Sequence, residues 1–308
     1  MKRFLLIANP NAGGSKGAAA AAEAQRGFET AGVEVELALT ERADHAPEIV
    51  VERGGNFDAI IGIGGDGTAN EIARGLRALG AKAPAFSIIP LGTANVLAME
   101  LGLGKLAPND AATLLASAQA RTMPYAVATF SDDSREYPVI VNVGIGFDAR
   151  VVHRVAAARR KSPAKFSKNR YMPQGMKEIW AWRAPRLQVQ IDGVKIAREA
   201  SAFVACNTKN YGGVMTLTPQ ADLFAVGMDL CIRFGRGRGA ILRHLLCAKR
   251  GREDASPHAE YRRVRSFEIR SSEPEAVQID GDDVGFTPLR AKMAAVPLQI
   301  LVPQHLEA

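Results

Sequence analysis

Four compact apolar runs in the first 90 residues, each followed by a turn or a helical pattern, constrain this chain more than any other feature. They are Phe4–Ala8, Val33–Leu37, Asp58–Ile63 and Ala85–Ile89. Three are continuous, as in strands buried on both faces. Val33–Leu37 alternates apolar with acidic residues, as in a strand with one exposed face. Between them lie an Ala-rich stretch from about Ser15 to Ala31, a short helical segment Pro47–Arg53, and Thr68–Leu79. In the last of these, Ile72, Leu76 and Leu79 share one helical face. Strands alternating with helices imply a parallel sheet covered on both sides.

From about residue 126 the texture changes. Val139–Val143, Leu187–Ile191, Ala202–Ala205, Phe267–Ile269, Val277–Ile279 and Leu298–Val302 are short strand-like runs. Asp192-Gly193 and Asp280-Gly281 punctuate them as hairpin turns. Two helical segments interrupt this region, near Ala149–Lys161 and Gly239–Lys249, and Arg159–Pro173 reads as a basic, turn-rich loop. The expected fold is an α/β domain with a parallel sheet over 1–124, followed by a mainly β sandwich over 125–308. Whether the last strand returns to the first domain is left open.

The length of 308 residues suits two domains, and 47% apolar with 23% charged residues suits a globular protein with a sizeable core. The three cysteines, Cys206, Cys231 and Cys247, form no C-x-x-C pair. That fits a reducing compartment, hence a cytoplasmic location, and argues against a disulfide scaffold or a cysteine zinc site. The apolar start Phe4–Ala8 stops at Asn9-Pro10, too soon for a signal peptide, and no run approaches the roughly 18 apolar residues of a membrane span. The net charge of +7 is unevenly placed: residues 1–124 hold 11 basic and 13 acidic side chains, and residues 125–308 hold 28 and 19. A basic second half fits contact with a polyanion or an anionic membrane, or a merely solvated surface. The run Arg159, Arg160, Lys161, Lys165, Lys168 and Arg170, with Phe166, Tyr171 and Met172 interleaved, is the candidate for a membrane surface.

The local chemistry concentrates in Gly62-Ile63-Gly64-Gly65-Asp66-Gly67-Thr68, after a strand and opening a helix. Glycines there let backbone N–H groups approach an anion, and the helix N-terminus favours negative charge. The spacing also satisfies G-x-G-x-x-G, but the acidic residue that a dinucleotide fold needs about 20 positions on is missing: that region reads Ala81-Lys82-Ala83-Pro84-Ala85-Phe86. Asn9–Ser15 and Pro90–Asn95 follow two other strands. Carboxyl ends of parallel strands share one edge, where ligands bind, so three small polar loops are expected to converge. Gly92 is expected to bring backbone close to a nucleotide. His153, His244 and His258 have no partner at metal-ligand spacing, and Trp180 and Trp182 are expected to pack in the core.

The segments N-P-x-x-G (Asn9–Gly13), G-G-D-G-T-x-N-E (Gly64–Glu71) and P-x-G-T-x-N (Pro90–Asn95) resemble the diacylglycerol kinase catalytic family, which includes bacterial lipid kinases and the sphingosine and ceramide kinases. Thr40 with His45-Ala46, Asn142 with Gly146-Phe147-Asp148, and Asn207 with Gly212-Gly213 and Pro219-x-Ala221 extend the likeness through the chain. The resemblance implies a nucleotide site lined by Asn9, Pro10, Asn11, Ala12, Gly13, Thr40, Gly64, Gly65, Asp66, Gly67, Thr68, Asn70, Glu71, Gly92, Thr93 and Asn95. It implies ATP and Mg²⁺ as cofactors, with Asp66 as catalytic residue and metal ligand. The family's D-G-E is Asp280-Gly281-Asp282 here, making Asp282 the implied base. Two acidic positions depart from the pattern: Ala225-Val226-Gly227 stands where an acidic pair often holds a structural Mg²⁺, and Tyr125-Ala126 follows Arg121-Thr122-Met123-Pro124 without the usual Asp.

The implied activity is phosphoryl transfer from ATP to a lipid hydroxyl, diacylglycerol or a related lipid, by a protein peripherally attached to an anionic membrane. An NAD kinase-like or other small-molecule kinase shares the G-G-D-G core, and a nucleotide-binding regulator with reduced catalysis would suit the missing carboxylates. No motif supports a nucleic-acid partner, and a homodimer stays open.

Overall fold

The computed structural model describes residues 1–131, 133–161, 171–250 and 258–304. Two compact units emerge. The first comprises Met1–Pro124 together with Leu223–Ala225 and the C-terminal segment from Ala295; the second comprises Tyr125–Asp222 and Val226–Ala294.

The first unit is built on a six-stranded sheet. Its strands are β1 (Arg3–Ala8), β2 (Glu34–Leu39), β3 (Ala59–Gly64), β4 (Ala85–Pro90), β5 (Gln119–Met123) and β20 (Leu298–Val302), in the order β2-β1-β3-β4-β20-β5. All pairs are parallel except β20 with β5. The last strand of the chain thus completes the first sheet. The helices are α2 (Gly17–Thr30), α3 (Ala46–Arg53), α4 (Asp66–Leu79), α5 (Val96–Glu100) and α6 (Pro108–Ala116), preceded by α1 (Ala12–Ser15), a single turn with Gly13 and Gly14 in left-handed conformations. Burial explains the sequence pattern: β3 is buried along its whole length, whereas β2 alternates. α4 turns Ala69, Ile72, Ala73 and Leu76 inward and stops at Gly80, whose φ is 61°. Gly62 leaves room for α4: a Cβ there would lie 2.7 Å from Ile72 Cδ1 and 2.8 Å from Ile88 Cδ1.

The second unit is a sandwich of two six-stranded antiparallel sheets. One runs β10 (Val194–Lys195), β9 (Leu187–Ile191), β16 (Ser266–Ser271), β19 (Leu289–Met293), β6 (Ala126–Phe130) and β7 (Asp133–Val139). The other runs β15 (Ala259–Val264), β14 (Met228–Arg233), β11 (Ala202–Cys206), β8 (Asn142–Ile145), β17 (Ala276–Ile279) and β18 (Asp282–Phe286). Alternate residues of both, among them Ala128, Val189, Ile269 and Leu289 from one and Val143, Phe203, Leu230 and Val277 from the other, form one core between them. β12 (Asn210–Tyr211) and β13 (Met215–Thr216) make a small ribbon. Both expected hairpins are present, with Asp192-Gly193 at φ 46° and 84° and Asp280-Gly281 at 51° and 90°.

Among the described residues three helices decorate the sandwich, one more than expected: α7 (Phe147–Lys161), α8 (Tyr171–Ala181) and α9 (Arg238–Lys249). Of the expected basic loop, residues 162–170 lie outside the described residues; Tyr171 onward is helix. α8 is held by tertiary contacts. Its Glu178 is buried and bonds Arg154 Nε at 2.6 Å, and Arg150 Nη1 lies 3.5 Å from the same carboxylate. Arg150 also grips Glu275 bidentately, at 2.5 and 2.6 Å. The two tryptophans at its end divide. Trp182 is buried, donating its indole N–H to Arg236 O at 3.2 Å. Trp180, expected in the core, is 72% exposed.

Asp280 does more than turn a hairpin. Buried and left-handed, it accepts the N–H of Ile140 at 3.1 Å and those of Val141 and Asn142 at 2.9 Å. Asp280→Ala therefore strands three amides at the start of β8. We expect it to lower unfolding stability by about 3 kcal/mol or more, read as the shift of the urea midpoint; a midpoint within experimental error of wild type would refute the clamp.

Candidate active site

Parallel register brings the carboxyl ends of β1, β2, β3 and β4 to one edge, and the segments that follow them touch there. The β3–α4 turn and the segment after β4 meet backbone to backbone. A Cβ on Gly92 would lie 2.5 Å from Gly65 Cα, and one on Gly65 3.0 Å from Gly92 Cα. Contact with Gly65 thus confines position 92 to glycine before any ligand is considered. Asn95 shapes the same loop: left-handed at φ 51°, it accepts the Gly92 N–H through Oδ1 at 2.8 Å and donates Nδ2 to Gly92 O at 3.1 Å.

Asp66 joins these loops to α5. Its Oδ2 accepts the Val96 N–H and its Oδ1 the Leu97 N–H, both at 3.0 Å. The carboxylate therefore caps a helix that carries no side-chain cap of its own. Burial pushes the Asp66 carboxyl up, opposed by these amide bonds.

The other two segments are tied in similarly. Gly13, at φ 61°, faces Leu91, whose Cγ would lie 2.8 Å from a Cβ there. Asn9 accepts the Asn11 N–H through Oδ1 at 2.9 Å and the Ala12 N–H through its carbonyl at 3.0 Å. Thr40 is buried and its N–H bonds Ala8 O at 2.9 Å. Glu71 reaches from α4 to accept the Asp44 N–H at 3.3 Å, and Arg74 donates to Asp44 Oδ1 at 2.6 Å. Burial is the main cause that pushes the Glu71 carboxyl up.

The structure thus gathers Asn9–Gly13, Thr40, Gly64–Thr68, Asn70, Glu71 and Gly92–Asn95 at one sheet edge. Asn9, Asp66, Glu71 and Asn95 hold the loops with their side chains. What remains for an anion is backbone: the N-cap of α4, Gly65, brings no side-chain cap to the amides of the first turn. Thr68 packs on Gly64, where a Cβ would lie 2.2 Å from its Oγ1, and Thr93 is exposed.

Among the described residues no group of three or more His, Cys, Asp or Glu is arranged to hold a metal ion. Mg²⁺ bound to a nucleotide needs less, one or two carboxylates plus phosphate oxygens and water. Asp66 is a carboxylate at this edge whose two oxygens each accept one amide at 3.0 Å and carry a second lone pair. A second, structural cation does not fit. Ala225 and Val226 bring no carboxylate, and Arg263 lies against Gly227, its Cγ 2.9 Å from a Cβ built there. Arg263 binds Asp229 Oδ2 at 2.7 and 3.0 Å and Gln220 O at 2.7 Å.

In the sandwich, Asp282 opens β18 and is exposed; Asp283 is half-buried and paired with Arg160 at 3.0 Å. A buried polar chain went unassigned in the sequence. Gln278 Nε2 donates to Asn142 Oδ1 at 2.6 Å and to Asp148 Oδ2 at 3.1 Å, and Tyr211 O–H donates to the same oxygen at 2.5 Å. Asp148 Oδ1 is buried without a hydrogen-bond partner among the described residues. Burial pushes the Asp148 carboxyl up and the Tyr211 hydroxyl well up. The signal was the Asn142–Asp148 segment, which marked positions but no role. Of the histidines, His153 Nε2 contacts Val277 O at 2.9 Å, His258 is exposed, and His244 is buried and driven down to about 4 by burial and by Arg233.

Two substitutions test the loop assembly. Gly92→Ala is expected to cost about 1–3 kcal/mol through collision with Gly65, seen as a lower melting temperature without any ligand present; an unchanged melting temperature would show that the loops do not touch. Asp66→Asn replaces one acceptor with a donor facing an N–H. It should cost about 1–3 kcal/mol and speed hydrogen exchange at Val96 and Leu97; unchanged exchange there would remove the cap.

Comparison with known proteins agrees with this architecture. The diacylglycerol kinase catalytic domain model matches residues 3–128, and the YegS C-terminal NAD kinase beta sandwich-like domain model matches residues 141–302. The diacylglycerol kinase of Bacillus subtilis (strain 168) is 27% identical over 289 residues, covering 94% of this chain and 92% of that protein. The diacylglycerol kinase of Mycobacterium tuberculosis (strain ATCC 25618 / H37Rv) is 28% identical over 256 residues, covering 80% and 78%. A crystal structure of a diacylglycerol kinase from Bacillus anthracis str. Sterne has the same fold, with a TM-score of 0.71 at 18% identity over 99% of this chain and 97% of that one. A second structure from that organism gives 0.78 at 21% identity, over 99% and 98%. The first model covers the parallel-sheet unit and the second more than half of the chain, so this protein belongs to the diacylglycerol kinase catalytic-domain family and is, at the level of that family, a lipid kinase.

Proposed function

We propose that this protein transfers the γ-phosphoryl group of ATP to a lipid hydroxyl, with diacylglycerol or a close glycerolipid as acceptor. The observation that carries this reading is the start of α4, whose N-cap Gly65 brings no side-chain cap, set among three glycine- and asparagine-shaped loops at one sheet edge. Phosphoryl transfer asks a protein chiefly to position and to neutralise charge. Backbone amides of Gly67 and Thr68 would bind phosphate oxygens. Asp66 would hold Mg²⁺, which when bound supplies charge neutralisation along the phosphates. Because the Asp66 oxygens also cap α5, the same carboxylate would fix the Gly92–Asn95 loop beside the nucleotide.

Asp282 is the base in this reading. Asp282 holds the position of the glutamate in the family's D-G-E segment and is exposed at the start of β18; Asp280 accepts three amides and Asp283 pairs with Arg160. Asp282→Ala should lower kcat by about 10²-fold or more with little change in ATP affinity, while Asp282→Glu retains turnover. Asp283→Ala should leave kcat within a few-fold. Normal turnover by Asp282→Ala would assign the base elsewhere.

The defining experiment is a screen with labelled ATP against diacylglycerol, monoacylglycerol, sphingoid base, ceramide and phosphatidylglycerol, dispersed in detergent. A labelled glycerolipid product is expected. Tight ATP binding with no labelled product from any lipid would favour the nucleotide-binding regulator, the reading that Ala225-Val226 and Tyr125-Ala126 support. NAD phosphorylation would favour the small-molecule kinase.

A further inference from the structure

Two helices of the sandwich unit keep large apolar side chains in water. On α8, Met176 and Trp180 are 56% and 72% exposed; on α9, Leu242 and Leu246 are 49% and 44% exposed. Each pair is spaced i, i+4 and so shares a helical face. The two strips join. Arg238, one turn before Leu242, lies over the Trp180 ring at 5.8 Å, and Trp182 bonds Arg236 O across the same junction at 3.2 Å. α9 is well seated, with Ile241, His244 and Ala248 buried beneath it, so the leucines are exposed on a firmly packed helix.

Among the described residues, the exposed charges on these two helices and on the segment leading into α9 have one sign. Lys177, Arg236, Arg238, Arg243, Lys249 and Arg250 are all exposed. The one carboxylate on either helix, Glu178, is buried and bound by Arg154 and Arg150. Exposed apolar side chains sharing their helices with exposed cations complement an anionic lipid interface, where the rings and aliphatic chains leave water and the cations meet phosphates.

We propose that the α8–α9 face docks this protein on an anionic bilayer, with Trp180, Met176, Leu242 and Leu246 entering the headgroup region. The inference goes beyond the phosphoryl-transfer reading, because docking is measured without turnover.

The test uses the whole chain and sedimentable vesicles of phosphatidylcholine, with or without phosphatidylglycerol. We expect salt-sensitive binding to the anionic vesicles and little to the neutral ones. The double substitution Leu242→Ser with Leu246→Ser should weaken binding by about tenfold, while Val194→Ser, which removes an apolar side chain 68% exposed on β10, should not. In Trp182→Phe, Trp180 is the one remaining indole of the two; its emission should move to shorter wavelength on the vesicles and be quenched by brominated acyl chains. Turnover of detergent-dispersed lipid should be the same in the leucine variant as in wild type, so a failed kinase assay and a failed docking assay are separate results. Equal vesicle binding by the leucine variant, an unquenched Trp180 on bound protein, or a dimer in solution that the leucine substitutions dissociate would each overturn the proposal, the last by making the face an interface between two copies.

Discussion

The contact between Gly65 and Gly92 is the constraint on which the candidate site depends. Nothing larger than hydrogen fits between the two Cα atoms, so the β3–α4 turn and the loop after β4 have one relative position. Asp66 then fixes the direction in which that loop continues, by accepting the Val96 and Leu97 amides. Asn95 closes the loop on itself. With those loops locked, the amides of the first turn of α4 are set before any ligand arrives. Preset donors of this kind lose little freedom when an anion binds, which is where electrostatic catalysis gains most.

The sandwich unit uses the same device at a different place. Asp280, left-handed at the β17–β18 hairpin, accepts three consecutive amides at the start of β8. In both units a carboxylate holds an irregular backbone segment against a strand or helix end. Such a carboxylate is satisfied by N–H groups rather than by a cation, which suits a buried position better than an unpaired charge would. Past the hairpin, Asp282 opens β18 and is exposed, while its strand neighbour Asp283, on the other face, is half-buried.

Much of this was legible in the sequence, and the part that was not has physical causes. β1, β3 and β4 announced themselves because burial on both faces demands continuous apolar runs, and the Asp-Gly turns because left-handed φ selects those residues. α8 was hidden: Pro173 and Gly175 weaken its propensity, and its helicity rests on the Glu178 bonds to Arg154 and Arg150, which no local pattern reveals. Trp180 was expected in the core because large aromatic residues usually are, yet it sits one turn from Met176 on an open face. At the site, positions were readable and roles were not. Asn95 and Asp66 occupy the expected loops, but only coordinates show that their side chains bond backbone amides. Gln278, which links Asn142 to Asp148, sat in an ordinary strand pattern with nothing to single it out.

The segment around Gly227 shows how a loop is kept after an ionic ligand set is absent. Ala225-Val226 offers no oxygen from its side chains, yet the chain still turns there through a φ of 115° at Gly227. Arg263, on the neighbouring strand β15, supplies positive charge from the protein itself. Its guanidinium takes Asp229 in two hydrogen bonds and the Gln220 carbonyl in a third. A guanidinium is planar, always charged and donates along fixed directions, so it orders carbonyl and carboxylate oxygens much as a bound cation orders its ligands. The difference is one of regulation: a side chain cannot dissociate. The geometry of residues 220–229 therefore follows from folding alone, and the one cation that the proposed chemistry calls for is the one that accompanies the nucleotide.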